Sequence, residues 1–282
     1  MPGDNIMSRK VLLGDTTLRD GEQAPGICFS DEEKVKIAQA LTCAGVARID
    51  VGVPVAGSYE TQVFSLVRKA CPNARLSAWG RAVPRDVYAS MACAPNDLRI
   101  CTPTSAGQIF NKLHTSETGM LARLLPCIQI AVTKGFHVSV GLEDASRARP
   151  EFLVHIAQEA ARAGASSVQL ADTVGMLTPS LAENLIALVH REGGLPVSFH
   201  GHNDFGMALA CACGAVRGGA YLVEGTLLGI GERAGNIDLR RFAELMGPRV
   251  VDIDFEALRD AERIVRRAAE IPWTKGIATS VA

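Results

Sequence analysis

Nowhere in its 282 residues does the chain hold a run of about 18 apolar residues, so the sequence offers no membrane-spanning helix. Its first residues, Met1-Pro-Gly-Asp-Asn, lack the basic and apolar regions of a secretory signal, and a soluble, cytoplasmic protein with no membrane partner is expected. Net charge is scarce as well: 29 Lys and Arg against 30 Asp and Glu leave −1, which removes the electrostatic case for a nucleic-acid partner and favours small molecules. The eight cysteines have no repeated spacing, so neither a disulfide frame nor a cysteine zinc site is expected. Cys211 and Cys213, the one close pair, fall in a helical pattern where i and i+2 diverge, and are read as packing. There is no low-complexity tract and no long linker.

What the chain does hold is a regular alternation. Hydrophobic residues make up 48% and charged residues 21%, ordinary for a globular interior. Short runs rich in Val, Ile and Leu begin near Val11, Val46, Arg75, Leu98, His137, Val168, Val197 and Tyr221, each followed by a loop and a helical pattern. Eight such units with no strand left over predict a closed α/β fold, the (β/α)₈ TIM barrel, over residues 1–250, with a C-terminal helix and tail over 251–282. Helix signals agree. Ser30-Asp-Glu-Glu33 is a capping box before the Ile37, Ala38, Leu41 stripe. Pro150 opens a helix with Leu153, Ile156, Ala157 and Ala160 on one face, and Gly164 ends it. Thr178-Pro179 opens another, whose Leu181, Leu185, Leu188 and Val189 are expected to share a face before Gly193-Gly194. Further helices are expected near Leu239–Met246 and Phe255–Glu270, and the residues from Ile271 on read as a short tail.

In such a barrel the loops after the strands build the active site, so polar residues just past each strand carry the functional reading. Two histidines, His200 and His202, close the seventh run. In an extended segment i and i+2 project from one face, so their ring nitrogens can meet one metal ion. A pair of hydrogen-bonded histidines is the plainer alternative. Strands one, eight and seven are consecutive around a closed ring, which places Asp20, after the first strand, within reach and makes an O/N₂ site with open positions. Such a site accommodates Mg²⁺, Mn²⁺, Fe²⁺, Co²⁺ or Zn²⁺. Arg19, a fixed fork of donors, suits a substrate carboxylate or a developing oxyanion, with a rim salt bridge as its alternative.

Five segments in order, Asp15-Thr-Thr-Leu-Arg-Asp-Gly-Glu-Gln23, Glu143-Asp-Ala-Ser-Arg147, Ala171-Asp-Thr-Val-Gly175, His200-Gly-His-Asn-Asp204 and Gly229-Ile-Gly-Glu-Arg-Ala-Gly-Asn236, resemble the metal-dependent TIM-barrel family of 2-isopropylmalate, homocitrate and citramalate synthases and the 3-hydroxy-3-methylglutaryl-CoA lyases. The likeness is nearest to homocitrate synthases of the nitrogen-fixation type and covers residues from about 11 to 246. It implies a divalent metal (Mg²⁺, Mn²⁺ or Zn²⁺) on Asp20, His200 and His202, with Asn236 as a further ligand. It implies that Arg19 polarises a keto group, that Thr173 binds a carboxylate, and that Gln23 and Glu143 position the reactants. The implied reaction is a Claisen condensation of acetyl-CoA with a 2-oxo acid, releasing CoA, and the implied assembly is a homodimer.

Departures from the family pattern frame the alternatives. The long synthases continue into a subdomain that completes the partner's site, and this chain stops at Ala282, so a substitute base or a separate accessory subunit is expected. The lyases place a cysteine in the loop after strand eight, and Gly229–Asn236 has none, which favours condensation over the retro-Claisen reaction. Ser139 stands where homocitrate synthases of the lysine pathway tend to have an arginine for the distal carboxylate of their acceptor. The acceptor is therefore left open, a phosphonate-bearing or other short 2-oxo acid included.

Overall fold

The computed structural model describes residues 10–278. Its strands are β1 (Leu12–Asp15), β2 (Arg48–Gly52), β3 (Leu76–Arg81), β4 (Asp97–Pro103), β5 (His137–Glu143), β6 (Ser167–Asp172), β7 (Val197–Gly201) and β8 (Leu222–Gly225). They close into a barrel in chain order, all parallel, with β1 bonded to both β2 and β8. This is the expected (β/α)₈ barrel, and every strand begins within two residues of its expected start.

The helices are α1 (Asp31–Ala44), α2 (Ser58–Ala70), α3 (Pro84–Ala92), α4 (Ala106–Leu113), α5 (Glu117–Val132), α6 (Pro150–Arg162), α7 (Pro179–Glu192), α8 (Ala208–Arg217), α9 (Leu239–Met246) and α10 (Phe255–Ala278). None of those among the described residues is long and apolar enough to cross a membrane. The capping box forms: Ser30 Oγ accepts from Glu33 N and the Glu33 carboxylate accepts from Ser30 N at 2.8 Å, satisfying donors that the first turn of α1 leaves free. Gly45, at φ 86°, ends α1 in the left-handed conformation. Pro150 starts α6, which buries Leu153, Ile156, Ala157 and Ala160, each large side chain contributing about 1.5–3 kcal/mol. Cys211 and Cys213 lie in α8, and all eight cysteines are free.

One expectation is refined and one is corrected. In α7 the barrel face is Ala182, Ile186 and Val189, at i, i+4 and i+7; Leu181 is 54% exposed and Leu185 and Leu188 are half-buried. The stripe of leucines is real, but it lies off the core-facing line and borders a shallow apolar hollow with Ala148, Pro150 and Leu177. The last helix does not end at Glu270: α10 runs to Ala278, and residues 279–282 of the expected tail lie outside the described residues. Rather than standing apart, α10 packs Leu258, Ala261 and Val265 into the core against α1, with α9 also beside it.

Strand alternation gives the barrel two different surfaces. Ile49, Val51, Leu76, Ala78, Leu98, Ile100, Val138, Val140, Val168, Leu170, Val197 and Phe199 face the helices and form the core. The residues between them, Arg48, Asp50, Ser77, Arg99, Ser139, Gln169, His200 and Glu224, point inward and are all buried. The interior is therefore polar and charged rather than lined by branched apolar side chains.

Candidate active site

Three loops are laced together at the C-terminal ends of β1, β7 and β8. Asp15 accepts from Thr17 N at 2.9 Å and Thr17 Oγ1 at 2.7 Å, and that hydroxyl in turn accepts from Leu227 N at 2.9 Å, tying the first loop to the last. Backbone bonds from Arg19 N and Asp20 N to Thr16 O wind the first loop into a tight turn that presents both side chains. The β8 loop folds back over β7: Asn203 N donates to Gly235 O, Ile237 N donates to Gly201 O, and His202 bridges Asn236. Arg233 clamps this arrangement, donating to Asp204 Oδ1 at 2.8 Å and to Thr173 O at 2.7 Å.

The lacing brings Asp20, His200 and His202 together. His200 Nε2 lies 3.2 Å and His202 Nε2 3.9 Å from Asp20 Oδ2, and the two Nε2 atoms are 3.4 Å apart. All three residues are buried, and one ligand atom from each lies within 4.8 Å of the others. Ligand atoms bound at ~2.1 Å to one tetrahedral or octahedral ion stand ~3–4 Å apart, so the set could hold a metal. Orphaned polar atoms support the fit. Asp20 Oδ1, Asn236 Oδ1 and the Nδ1 atoms of both histidines are buried without a partner, while Asn236 Nδ2 is fixed on Ile230 O at 3.0 Å, leaving its oxygen as the spare donor atom. Burial works to raise the Asp20 carboxyl, but Arg19 and His200 outweigh it and hold it well below the usual carboxylate range. Burial, with His200 beside it, lowers His202 to about 3, so its imidazole is neutral at pH 7.

Residues 10–265 match the HMGL-like family model. The chain belongs to the HMGL-like family. Among its relatives, homocitrate synthase 1 of Nostoc sp. is 44% identical over 230 residues, which is 82% of this chain and 61% of that protein. This chain thus spans less than two thirds of that relative's length. Homocitrate synthase subunit alpha of Clostridium pasteurianum is 34% identical over 267 residues, 93% of this chain and 99% of that one. The crystal structure of the HMG-CoA lyase from Brucella melitensis shares the fold, with a TM-score of 0.82 at 19% identity over 93% of this chain and 99% of that one.

Beside the triad of this HMGL-like barrel, Arg19 is held from behind. Its Nε donates to Asp50 Oδ2 at 2.6 Å, its Nη2 lies 3.5 Å from Asp20 Oδ2, and the guanidinium sits 5.9 Å from the centre of the Trp79 ring. Burial opposes its charge, yet Asp50, Asp20 and Glu224 more than compensate and keep it protonated. Trp79 also walls a cavity of about 390 Å³ at the ends of β3, β4 and β5, lined further by Cys101, Pro103, Leu113 and Glu143, with Arg81, Lys112 and Arg123 about it. Glu143, the last residue of β5, turns into this cavity 3.9 Å from Lys112 Nζ; burial pushes its carboxyl up, opposed by Lys112 and Arg19. Thr173 Oγ1 accepts from Asp144 N at 2.8 Å, which leaves the hydroxyl proton free to donate. Gln23 is different: it is exposed at the end of the short turn Gly21–Gln23, and its side chain bonds to nothing in the cluster.

Several residues at this site were not reached by reasoning from the sequence. Asp50 and Trp79 hold Arg19, and Glu224 lies at the centre of the barrel floor, accepting from Arg48, Arg99 and Gln169. A signal was present: in Arg48-Ile-Asp50-Val and Leu98-Arg99-Ile100 charged residues occupy the inward phase of otherwise apolar strands.

Proposed function

We propose that the chain is an acyltransferase that condenses acetyl-CoA with a 2-oxo acid and releases CoA. The observation that carries this reading is the buried Asp20, His200 and His202 cluster beside Arg19, in an HMGL-like barrel; Arg19 in turn stands against Trp79, which lines the cavity at the ends of β3, β4 and β5. A divalent ion on that cluster and Asn236 would supply a Lewis acid for the keto group of the 2-oxo acid. The chain's own groups do the rest. Arg19, aimed by Asp50, donates to the keto oxygen as it gains charge. Thr173 donates to the acceptor's carboxylate. Glu143, the one carboxylate lining the cavity and raised by burial, takes up the methyl proton of acetyl-CoA; the carbanion attacks the keto carbon, and water then cleaves the thioester.

The cavity supports a class of acceptor. Around it stand Arg81, Lys112 and Arg123, with Glu143 as the single acid among the described residues of its lining, although Arg81 also pairs with Asp86 at 2.7 Å. This surplus of positive charge suits a tail that ends in an anion. The test is release of free CoA, read with a thiol reagent, from acetyl-CoA and a panel of 2-oxo acids with Mg²⁺, Mn²⁺ or Zn²⁺. Release that depends on the 2-oxo acid, greater for 2-oxoglutarate or phosphonopyruvate than for pyruvate, is expected. CoA release without dependence on any 2-oxo acid contradicts the reading, and cleavage of a 3-hydroxyacyl-CoA in its place would make the protein a lyase.

One relative's name favours a second reading, in which the chain is one subunit of a two-chain enzyme, since the Clostridium protein that it matches nearly end to end is called subunit alpha. Turnover by the purified chain alone rejects that reading.

A further inference from the structure

The floor beneath the triad is unusual for a barrel interior, because it is built of charges. Arg48 on β2, Arg99 on β4, Gln169 on β6 and Glu224 on β8 come from alternate strands and converge on the Glu224 carboxylate. Arg48 Nη2 reaches Oε1 at 3.2 Å, and Arg99 Nη1 and Gln169 Nε2 both donate to Oε2. Room for the first of these contacts is made at Gly14, which stands in register with both Arg48 and Glu224; a methyl group there would lie 3.3 Å from Glu224 Cγ and from its Oε1. Four groups buried to this depth are costly to desolvate, and such a cluster favours folding only when its members are mutually satisfied. Arg48 Nε and two Arg99 nitrogens are nonetheless unpartnered. The cluster is poor as a stabiliser, which directs attention to what stands above it.

Directly beside Glu224, in register on β7, is His200. On adjacent parallel strands, residues in register project to the same face. Glu224 Oε2 lies 3.8 Å from His200 Nδ1, beyond hydrogen-bond distance, and that buried nitrogen has no hydrogen-bond partner among the described residues. The opposite nitrogen, Nε2, is the one turned to Asp20 and His202. An imidazole can offer Nε2 as a lone pair only when its proton is on Nδ1, and a buried Nδ1–H needs an acceptor. Glu224 is the carboxylate placed to become that acceptor, and Arg48, Arg99 and Gln169 hold it in place. His202 is not equivalent: its ion-pair distance runs through Nε2 to Asp20, and its Nδ1 has no carboxylate beside it.

We propose that Glu224 is a positioning residue for the metal centre: clamped by Arg48, Arg99 and Gln169, it fixes the tautomer and ring orientation of His200 and acts on the bound ion through His200 alone. The proposal rests on the metal-centre reading above and adds to it a function for the charged floor.

The test uses the full chain, stripped of metal and titrated with Zn²⁺ alone by calorimetry with a competing chelator. Glu224→Gln should weaken Zn²⁺ binding tenfold to a hundredfold. The same change in a His202→Ala background should weaken it again by a similar factor, whereas in a His200→Ala background it should leave the affinity within about twofold. A purely structural role would lower affinity equally in both backgrounds and overturns the proposal, as does an unchanged affinity in the single variant. If wild type itself takes up no Zn²⁺, the metal-centre reading fails and the proposal with it; if wild type binds and Glu224→Gln binds equally well, only the assignment of Glu224 fails. Because the substitution also strips two buried arginines of their partner, its far-UV circular dichroism is recorded alongside. Should it not fold, long-range ¹H–¹⁵N spectra of the Zn²⁺-loaded wild type decide the matter. A protonated, downfield, slowly exchanging His200 Nδ1–H is expected. A His200 Nδ1 that is unprotonated, or that exchanges as fast as that of His202, overturns the proposal.

Discussion

Replacing Asp50 separates the aim of Arg19 from its mere presence. Asp50 is fully buried and accepts from Arg19 Nε at 2.6 Å, while Arg19 is 11% exposed along its side chain and has only Asp20, at 3.5 Å, as a second anion. Asp50 Oδ1 has no partner, so the whole hydrogen-bonding return of this carboxylate comes from Arg19. Burial raises its carboxyl, with Arg19 and Arg99 opposing, so the guanidinium is the main group that favours its charged form. Asp50→Asn keeps the size and one acceptor oxygen and loses a charge-assisted bond, which costs about 1.5–3 kcal/mol. Asp50→Ala leaves the guanidinium without that partner and costs about 3–5 kcal/mol. Against a total of about 5–15 kcal/mol the Asn variant stays folded at 25 °C. Arg19→Gln removes a donor to the developing oxyanion and lowers kcat about 10²–10³-fold; Asp50→Asn keeps the donor but loosens it, and a loss of about 10-fold or more is expected with stability otherwise sufficient. Urea denaturation of wild type, both single variants and the double variant gives a cycle, and the double should cost about 0.5–3 kcal/mol less than the sum of the singles. Strict additivity, or full activity in Asp50→Asn, refutes the reasoning.

Acid should destabilise the metal-free protein in a defined window. His202 titrates at about 3 when folded and near 6.5 when unfolded, so between these values the unfolded chain binds a proton that the folded chain does not. Stability is therefore lost as pH falls below about 6.5, by at most about 1.4 kcal/mol per unit, with Asp20 adding to the loss only below its ordinary value of 3.8. Urea midpoints from pH 7 to 4.5 measure this, and His202→Gln should flatten the slope; an identical slope in the variant contradicts the assignment. Gly141→Ala tests packing at the cavity floor, where an added methyl would run into the Cys101 sulfur. A loss of about 1–3 kcal/mol is expected, partly recovered in Gly141→Ala/Cys101→Ala, whereas equal melting of Gly141→Ala and wild type would show that the floor has slack. Ser30→Ala removes the capping box of α1 and should lower stability by about 1 kcal/mol in the same assay.

What the sequence made legible follows from what is local. The outward apolar residues of each strand, such as Ile49 and Val51 or Leu98 and Ile100, announce the strands, and Pro150, Ser30 and Gly164 mark helix ends through backbone chemistry confined to a few residues. The triad was legible because His200 and His202 are two residues apart and closure of the ring makes β1 and β7 near neighbours. Glu224 and its partners were not, since Arg48 is 176 residues and Arg99 125 residues away from it, and only the completed barrel with its inward phase brings them into contact. The same inward phase hid Asp50, which looks like an interruption of an apolar run until Arg19 is seen against it. In α7 the leucines have helical spacing but their phase relative to the barrel is set by packing, which chose the smaller Ala182 and the line through Ile186. Gln23 sits in the expected segment, exposed at the end of its turn.

The account stands on the metal centre, and metal analysis of wild type, Asp20→Asn, His200→Ala and His202→Ala, each loaded with Zn²⁺ and gel-filtered in parallel, tests it most directly. One ion per wild-type chain and much less than one in every variant, with far-UV circular dichroism unchanged, is predicted. Full occupancy in any of the three variants, or a wild-type protein that retains no ion, would contradict it.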